Sequence, residues 1–328
     1  MSQNSLVVAN GTGAAVRSAL NNGLNTLVTN NSGAAAPSTT YAYMLWADTT
    51  NDLLKIRNAA NTAWITVGRL SLTNLGFSPI PRGQLWGMTL SNNGTDAVND
   101  IDIAAGSCAS DDSVDANRVL LNPGAMNKQL DAVWAAGSAA GGRISAESLV
   151  NGTWHVYLFR RSSGVDDYCF SQSLTPTLPD GGTHKRRIGS ILRESAAIVG
   201  FVQDGDTFMR KTPVLDVDVT GPGATAVTRT LSVPTGLPVW AWVAALGVKG
   251  TQDFKIYLSD LAATDLAPSA TAAPLGNAGG QPNGGVVSLL RIRTNTSGQI
   301  RSRVTPETGA EILRIATYGW EDRRGRDS

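Results

Sequence analysis

The sequence predicts a mainly β fold: a short N-terminal helix and small sheet, then a β-rich domain and a C-terminal β-sandwich or jelly-roll-like domain. Three observations lead there. Glycine is abundant, with 35 residues in 328, and much of the remainder is small or hydroxylated, which suits short strands joined by tight turns. Charged residues make up only 16%, below the roughly 25% of a usual soluble domain, unlike a helical enzyme rich in Glu, Lys and Leu. Hydrophobic residues reach 42%, enough for a real core, and from residue 83 onward they fall in short apolar runs, often alternating.

Residues 1–12 read as a polar, extended arm. The spacing of Val16, Leu20, Leu24, Leu27 and Val28 predicts a helix over 13–29. One narrow apolar stripe on so short a helix is marginal in water, so it needs a partner: its own chain, or copies of itself on a three-fold axis. Residues 30–40 read as a flexible connector. Three short strands follow at 41–47, 53–57 and 63–67, with Asn/Asp turns between them. Trp46 and Trp64 are placed to close a very small core there. A sheet of that size is rarely stable alone. These elements form a module over 1–70, followed by a linker at 71–82 stiffened by Pro79 and Pro81.

The central domain, 83–214, reads as strands in QLWGMTLSN, NDIDIAAGS, TWHVYLFRR, DYCFSQS, KRRIGSILR, AAIVGFVQ and DTFMRKT, with one short helix from Met126 to Trp134. Gln203-Asp204-Gly205-Asp206 is a hairpin signal, because Asp-Gly suits the primed turns. The C-terminal domain, 215–328, carries six or seven strands, a long Ala/Pro/Gly-rich loop at 261–285, a hairpin from VVSLLRIRT and GQIRSRV, and a charged tail, EDRRGRDS.

The chain offers little chemistry. His155 sits in an alternating strand and His184 beside a Gly-Gly turn, expected exposed, so a His-based metal site is not supported. Cys108 and Cys169 lack metal spacing and read as small buried thiols. There is no GxSxG, Walker or dinucleotide motif. The carboxylate pairs Asp111/Asp112, Asp166/Asp167, Asp204/Asp206 and Asp216/Asp218 fall in turns or on solvent-facing positions, without the aromatic sugar platforms a glycosidase needs. No enzyme activity and no cofactor are expected. The net charge of +1 argues against nucleic-acid binding. No apolar run reaches the roughly 20 residues of a membrane span, and no secretory signal is visible, so synthesis in a cytoplasm is expected. His184-Lys185-Arg186-Arg187 with Arg193 form one basic cluster. Arg291, Arg293, Arg301 and Arg303 alternate along the expected hairpin and should share a face. That face either meets anionic lipopolysaccharide, through bidentate pairing to phosphate, or is solvated or salt-bridged across subunits.

YAYMLWADTTNDLLKIRNAANTAWITVG, with AAVRSALNNGLNTLV before it, resembles the N-terminal module of bacteriophage tail-fibre and tail-associated proteins. PRGQLWGMTLSNNGTDAVNDIDIAAGSC, LDAVWAAGSAAGG, NGTWHVYLFRR, RRIGSILRESAAIVGFVQDGDTF, VTRTLSVPTG and the terminal YGWEDRRGRD are similar to segments of the same proteins. The resemblance implies a homotrimeric virion appendage, docked to other phage proteins through the N-terminal module, with distal β-domains contacting host-surface polysaccharide. Val16, Leu20, Leu24, Leu27, Trp46 and Trp64 would then face the trimer interface, and the four arginines the receptor or partner. The chain lacks the shaft of a long fibre. An adaptor, a head fibre or a decoration protein therefore stays open, with a polysaccharide depolymerase behind them.

Overall fold

Side-chain alternation sets the architecture, and the chain is mainly β with one α-helix among the described residues. The computed structural model describes residues 3, 7–70, 83–111, 119–122, 124–249, 254–269, 277–282, 284–305 and 309–326. The expected linker at 71–82 lies outside them.

Helix α1 spans Gly13–Val28, and the Thr12 side chain caps it by accepting from the Ala15 amide. Thr26 is buried and Val16 half-buried, while Leu20, Leu24 and Leu27 are 50%, 60% and 60% exposed. Strands β1 (Leu45–Asp48), β2 (Leu53–Arg57) and β3 (Trp64–Arg69) form an antiparallel meander. Its turns behave as their Asn and Asp content requires. Asp48 accepts from the Thr50 and Asn51 amides, and Asn58 from Thr62 and Ala63. The Trp46 and Trp64 rings meet at 5.3 Å. The segment expected to be a flexible connector is tied to this sheet. Trp46 Nε1 donates to Gly33 O at 3.2 Å, and Asn31 Nδ2 to Leu45 O at 2.7 Å.

The next strands are β4 (Leu85–Gly87), β5 (Leu90–Asn92), β6 (Asp100–Ile103), β7 (Gly106–Ala109), β8 (Val119–Asn122), β9 (Met126–Val133), β10 (Ala140–Arg143), β11 (Gly152–Arg160), β12 (Asp166–Ser171), β13 (His184–Glu194) and β14 (Ala197–Ile198). β4, β7 and β8 form a three-stranded sheet. The others form an eight-stranded sheet in the order β14-β13-β11-β12-β10-β9-β6-β5. The remaining strands are β15 (Phe201–Asp204), β16 (Thr207–Thr220), β17 (Val227–Thr230), β18 (Trp240–Lys249), β19 (Phe254–Ser259), β20 (Asn277–Pro282), β21 (Gly284–Arg293), β22 (Gln299–Thr305) and β23 (Ile312–Glu321). Hydrogen bonds link all nine in the order β15-β16-β23-β18-β21-β20-β19-β22-β17. The Asp-Gly hairpin is present between β15 and β16, with Gly205 at φ +57 as its first turn residue.

One hydrophobic cluster runs from Met88 to Trp320 and joins these two large sheets. β11 shows how. Trp154, Val156 and Leu158 point into that core, while Tyr157 and Phe159 pack on the opposite face with Cys169 and Ile144. Edge strand β5 is closed by side chains: Gln203 accepts from Leu90 N at 2.7 Å, and Asn92 bonds Phe201 N and Val199 O.

Three expectations need correction. Met126–Trp134 is no helix. β9 pairs with β6 and β10, and burial of Lys128 and Leu130 follows period two, so pairing outweighs the local helix propensity of Lys, Gln, Leu and Ala. Part of the expected 261–285 loop is strand β20, where Asn277–Gly280 pair with β19 through the backbone. β21 and β22 are not a hairpin. β21 pairs with β18 and β20, β22 with β19 and β17, so the connection crosses between them. Within the charged tail, Asp322 and Arg324 are buried. β16 also runs continuously through residues 214 and 215.

Candidate functional site

A dense hydrogen-bonded junction lies between β11, β13 and the segment after β23. Arg187 on β13 forks onto both oxygens of the Asp322 carboxylate, with Nη2 at 2.7 Å from Oδ1. Ser190 Oγ donates to Asp322 Oδ2 at 3.0 Å and accepts from Arg187 Nη1 at 2.9 Å. His155 Nδ1 lies 2.9 Å from the same hydroxyl. With its single proton given to Asp322, Ser190 accepts from His155, which sets the imidazole as the Nδ1–H tautomer. Arg324 completes the staple, donating to Ile188 O at 2.7 Å and Met88 O at 2.6 Å.

Serine, histidine and aspartate meet here, but in the wrong order for nucleophilic catalysis. A triad needs the imidazole between hydroxyl and carboxylate, to take the proton. Here the hydroxyl stands in the middle, and Ser190 is fully buried. Burial, then Arg187, depresses the His155 pKa to about 4, so the ring is neutral at neutral pH. Burial alone would raise Asp322, but the Arg187 guanidinium and the surrounding hydrogen bonds hold its carboxyl below the usual range. The network is a structural clamp.

Beside the clamp opens a cleft of about 510 Å³. Tyr157 and Arg187 line it from the central sheet, and Trp240, Arg293 and Glu321 from the C-terminal one. Leu174, Leu237 and Pro238 add apolar rim. The Arg291 guanidinium lies 4.5 Å from the Trp240 ring centroid and is itself held by Glu321 at 2.6 Å. Arg293 pairs with Asp260 at 2.9 Å, and Asp111 with Lys185 at 2.5 Å. A second cleft of about 750 Å³ lies between the N-terminal sheet and the β11–β12 turn, where Arg69 donates to Gly164 O at 3.1 Å.

The structure divides the four candidate arginines. Arg293 lines the first cleft, and Arg291 backs it through the Trp240 ring and Glu321. Arg301 and Arg303 lie elsewhere, on Asp265 and on the carbonyls of Ala263, Leu261 and Ala224. They do not line one hairpin, because β21 and β22 are not neighbours. The basic cluster is largely internal: Arg186, Arg187 and Arg193 are buried. His184 is half-buried. Asp166 and Asp167, expected in a turn, lie on β12 and are held by Arg160 and Lys128. Asp112 lies outside the described residues. Asp204 and Asp206 flank the β15–β16 turn, Asp206 on Arg326. Asp216 accepts from Ser232 and Thr317. Trp46 is packed within its own chain, and of the helical candidates Leu20, Leu24 and Leu27 project outward. Cys108 and Cys169 are buried and unbonded, and burial pushes the Cys108 thiol up to about 12. Among the described residues no group of three or more His, Cys, Asp or Glu is placed to hold a metal. No described helix is long and apolar enough to cross a membrane.

Sequence reasoning missed Trp240, Tyr157 and the clamp. The WAW pattern in β18 marks Trp240 as facing away from the core beside Ala241, but its partners are remote in sequence.

No family model matches the chain, and none of the curated proteins compared is similar to it. Among solved structures, the chain is similar to the exo-β-1,3-galactanase of Phanerochaete chrysosporium determined with galactose. That match has 12% identity and a TM-score of 0.18, over 84% of this chain and 65% of that one. A structure of the infectious bursal disease virus Gx strain matches at 11% identity and TM-score 0.15, over 72% of this chain and 68% of that one. At such scores the backbones share no common fold, and neither carries an argument.

Proposed function

We propose that this chain is a structural, non-enzymatic subunit of a bacteriophage virion. It is of the tail-fibre type, trimerises through its N-terminal module and adheres to the host surface through its β-rich units. The observation that carries the reading is the stripe of Leu20, Leu24 and Leu27, at least half exposed on α1. Spacings of four and three residues make a coiled-coil seam. A seam of this kind on a protomer is covered when copies meet on a symmetry axis. The resemblance of residues 41–68 and several later segments to fibre proteins supports the same reading. So does the engagement of Asp111, Asp166, Asp167, Asp206, Asp216 and Asp218 in ion pairs and hydrogen bonds. The protein is made in the host cytoplasm, resides in the virion and needs no cofactor.

Light scattering on a sizing column tests it. Three times 34.3 kDa is expected, and Leu20→Ser/Leu24→Ser/Leu27→Ser should return the monomer without changing the melting of the β-rich units. A compact wild-type monomer would overturn the trimer. The adaptor alternative draws on Trp86, 67% exposed on β4, a surface suited to another protein. Loss of virion incorporation in Trp86→Ala, with the trimer intact, would favour it.

A further inference from the structure

We propose that the cleft between the central and C-terminal sheets binds an uncharged oligosaccharide, with the Trp240 ring as its stacking platform. The inference deepens the adhesive reading and rests on it for the source of the sugar, a host-surface glycan.

Three features define the ligand class. The first is size: about 510 Å³ falls within the roughly 300–1,000 Å³ of small-molecule sites. The second is charge. Asp111, Glu321 and Asp322 stand against Arg187, Arg293 and Arg323 in the lining, so the wall is electrically balanced. Asp111, Arg187, Arg293, Glu321 and Asp322 each already hold an opposite charge. An anion or cation entering here would have to displace one of those partners. A neutral polyol need not, because paired carboxylates and guanidiniums keep spare lone pairs and N–H groups for hydroxyls. The third is the mixture of surfaces. Trp240, Leu174, Leu237 and Pro238 give an apolar strip against which the C–H face of a pyranose can lie, while the polar groups reach its hydroxyl edge. Purely apolar ligands would leave that polar wall unsatisfied.

The cleft is also preformed. Arg291 over the ring holds Trp240, the Arg187–Asp322 clamp fixes the floor, and Thr235 N donates to Thr153 Oγ1 at 2.8 Å across the two units. A wall already ordered loses little entropy on binding.

The test is a tryptophan-fluorescence and calorimetric titration of the full chain. The probes are maltohexaose, cellohexaose, laminarihexaose and mannohexaose, with polygalacturonate as the charged counterpart. A saturable response to at least one neutral hexamer is expected. Trp240→Ala and Arg293→Ala should weaken it tenfold or more, and Trp240→Phe should weaken it less. Trp240→Phe keeps a ring and guards against misfolding, and Arg303→Ala, away from the cleft, should change nothing. Three results would overturn the proposal: no saturation by any neutral hexamer up to about 10 mM, binding that survives Trp240→Ala, or binding of polygalacturonate alone. The mass measurement separates the two readings. A trimer that binds no hexamer removes the sugar site and leaves the fibre subunit, whereas a monomer that binds one does the reverse.

Discussion

Replacing Asp322 by alanine should be among the most damaging single changes in the molecule. Arg187 is only 8% exposed, and Asp322 takes two of its N–H groups, the Ser190 hydroxyl and the Arg324 amide. Deleting the carboxylate strands a buried guanidinium and removes the acceptor of two further donors. Breaking one side of a buried pair costs about 3–5 kcal/mol. Set against a native stability of about 5–15 kcal/mol, that is a large share. Urea unfolding followed by fluorescence should show a fall of that size at constant m-value. The double variant Arg187→Met/Asp322→Leu removes both charges, and should recover most of the loss, because isosteric apolar replacement of a buried pair is often neutral or better. The reasoning fails if Asp322→Ala costs under about 1 kcal/mol, or if the double variant is as weak as the single one.

His155 should make the fold acid-sensitive in a defined window. Its folded pKa, about 4, lies below the ordinary 6.5, so the unfolded chain binds the extra proton as pH falls. Stability should be unaffected by this group above pH 6.5 and decline between there and about 4, by up to about 3 kcal/mol at 1.36 kcal/mol per unit. His155→Gln should flatten that decline in a pH series of urea melts. Gly319→Ala would set a Cβ 2.2 Å from Phe208 O and 2.9 Å from Met209 Cα, both backbone atoms, so β16 and β23 must part. A loss of about 1–3 kcal/mol is expected from calorimetry. Gly94→Ala, which meets nothing within 4 Å, is the control.

The strands legible in the sequence are those whose signal is local. β11 and β13 announce themselves by apolar runs, the β15–β16 hairpin by Asp-Gly, and the small N-terminal sheet by its Asn/Asp turns. β9 was hidden because its outcome is decided by β6 and β10, and because Lys128, which would ordinarily mark a solvent face, is buried on Asp167 and the carbonyls of Ala135 and Gly137. β20 was hidden because a Gly-rich Asn-Ala-Gly-Gly run carries no strand signal in the sequence, and its backbone pairing with β19 is set from outside it. Burial of Asp322 and Arg324 in the terminal EDRRGR run was hidden for the same reason as that of Lys128: charge predicts exposure until a partner appears. The candidate cleft was illegible for a geometric reason. Trp240, Tyr157 and Arg293 converge only after two sheets have closed on one another, and nothing near any of them in sequence reports the others.

The Arg187–Asp322 pair joins residues 135 positions apart. A ribosome adding roughly 5–20 residues per second leaves Arg187 waiting on the order of ten seconds for its counter-charge. During that interval β13 cannot enter the core without dragging an unneutralised guanidinium with it. Closure of the central sheet is therefore expected to follow synthesis of the distal strands. A product truncated before Asp322 should lack this seal, and limited proteolysis of such a chain would report it.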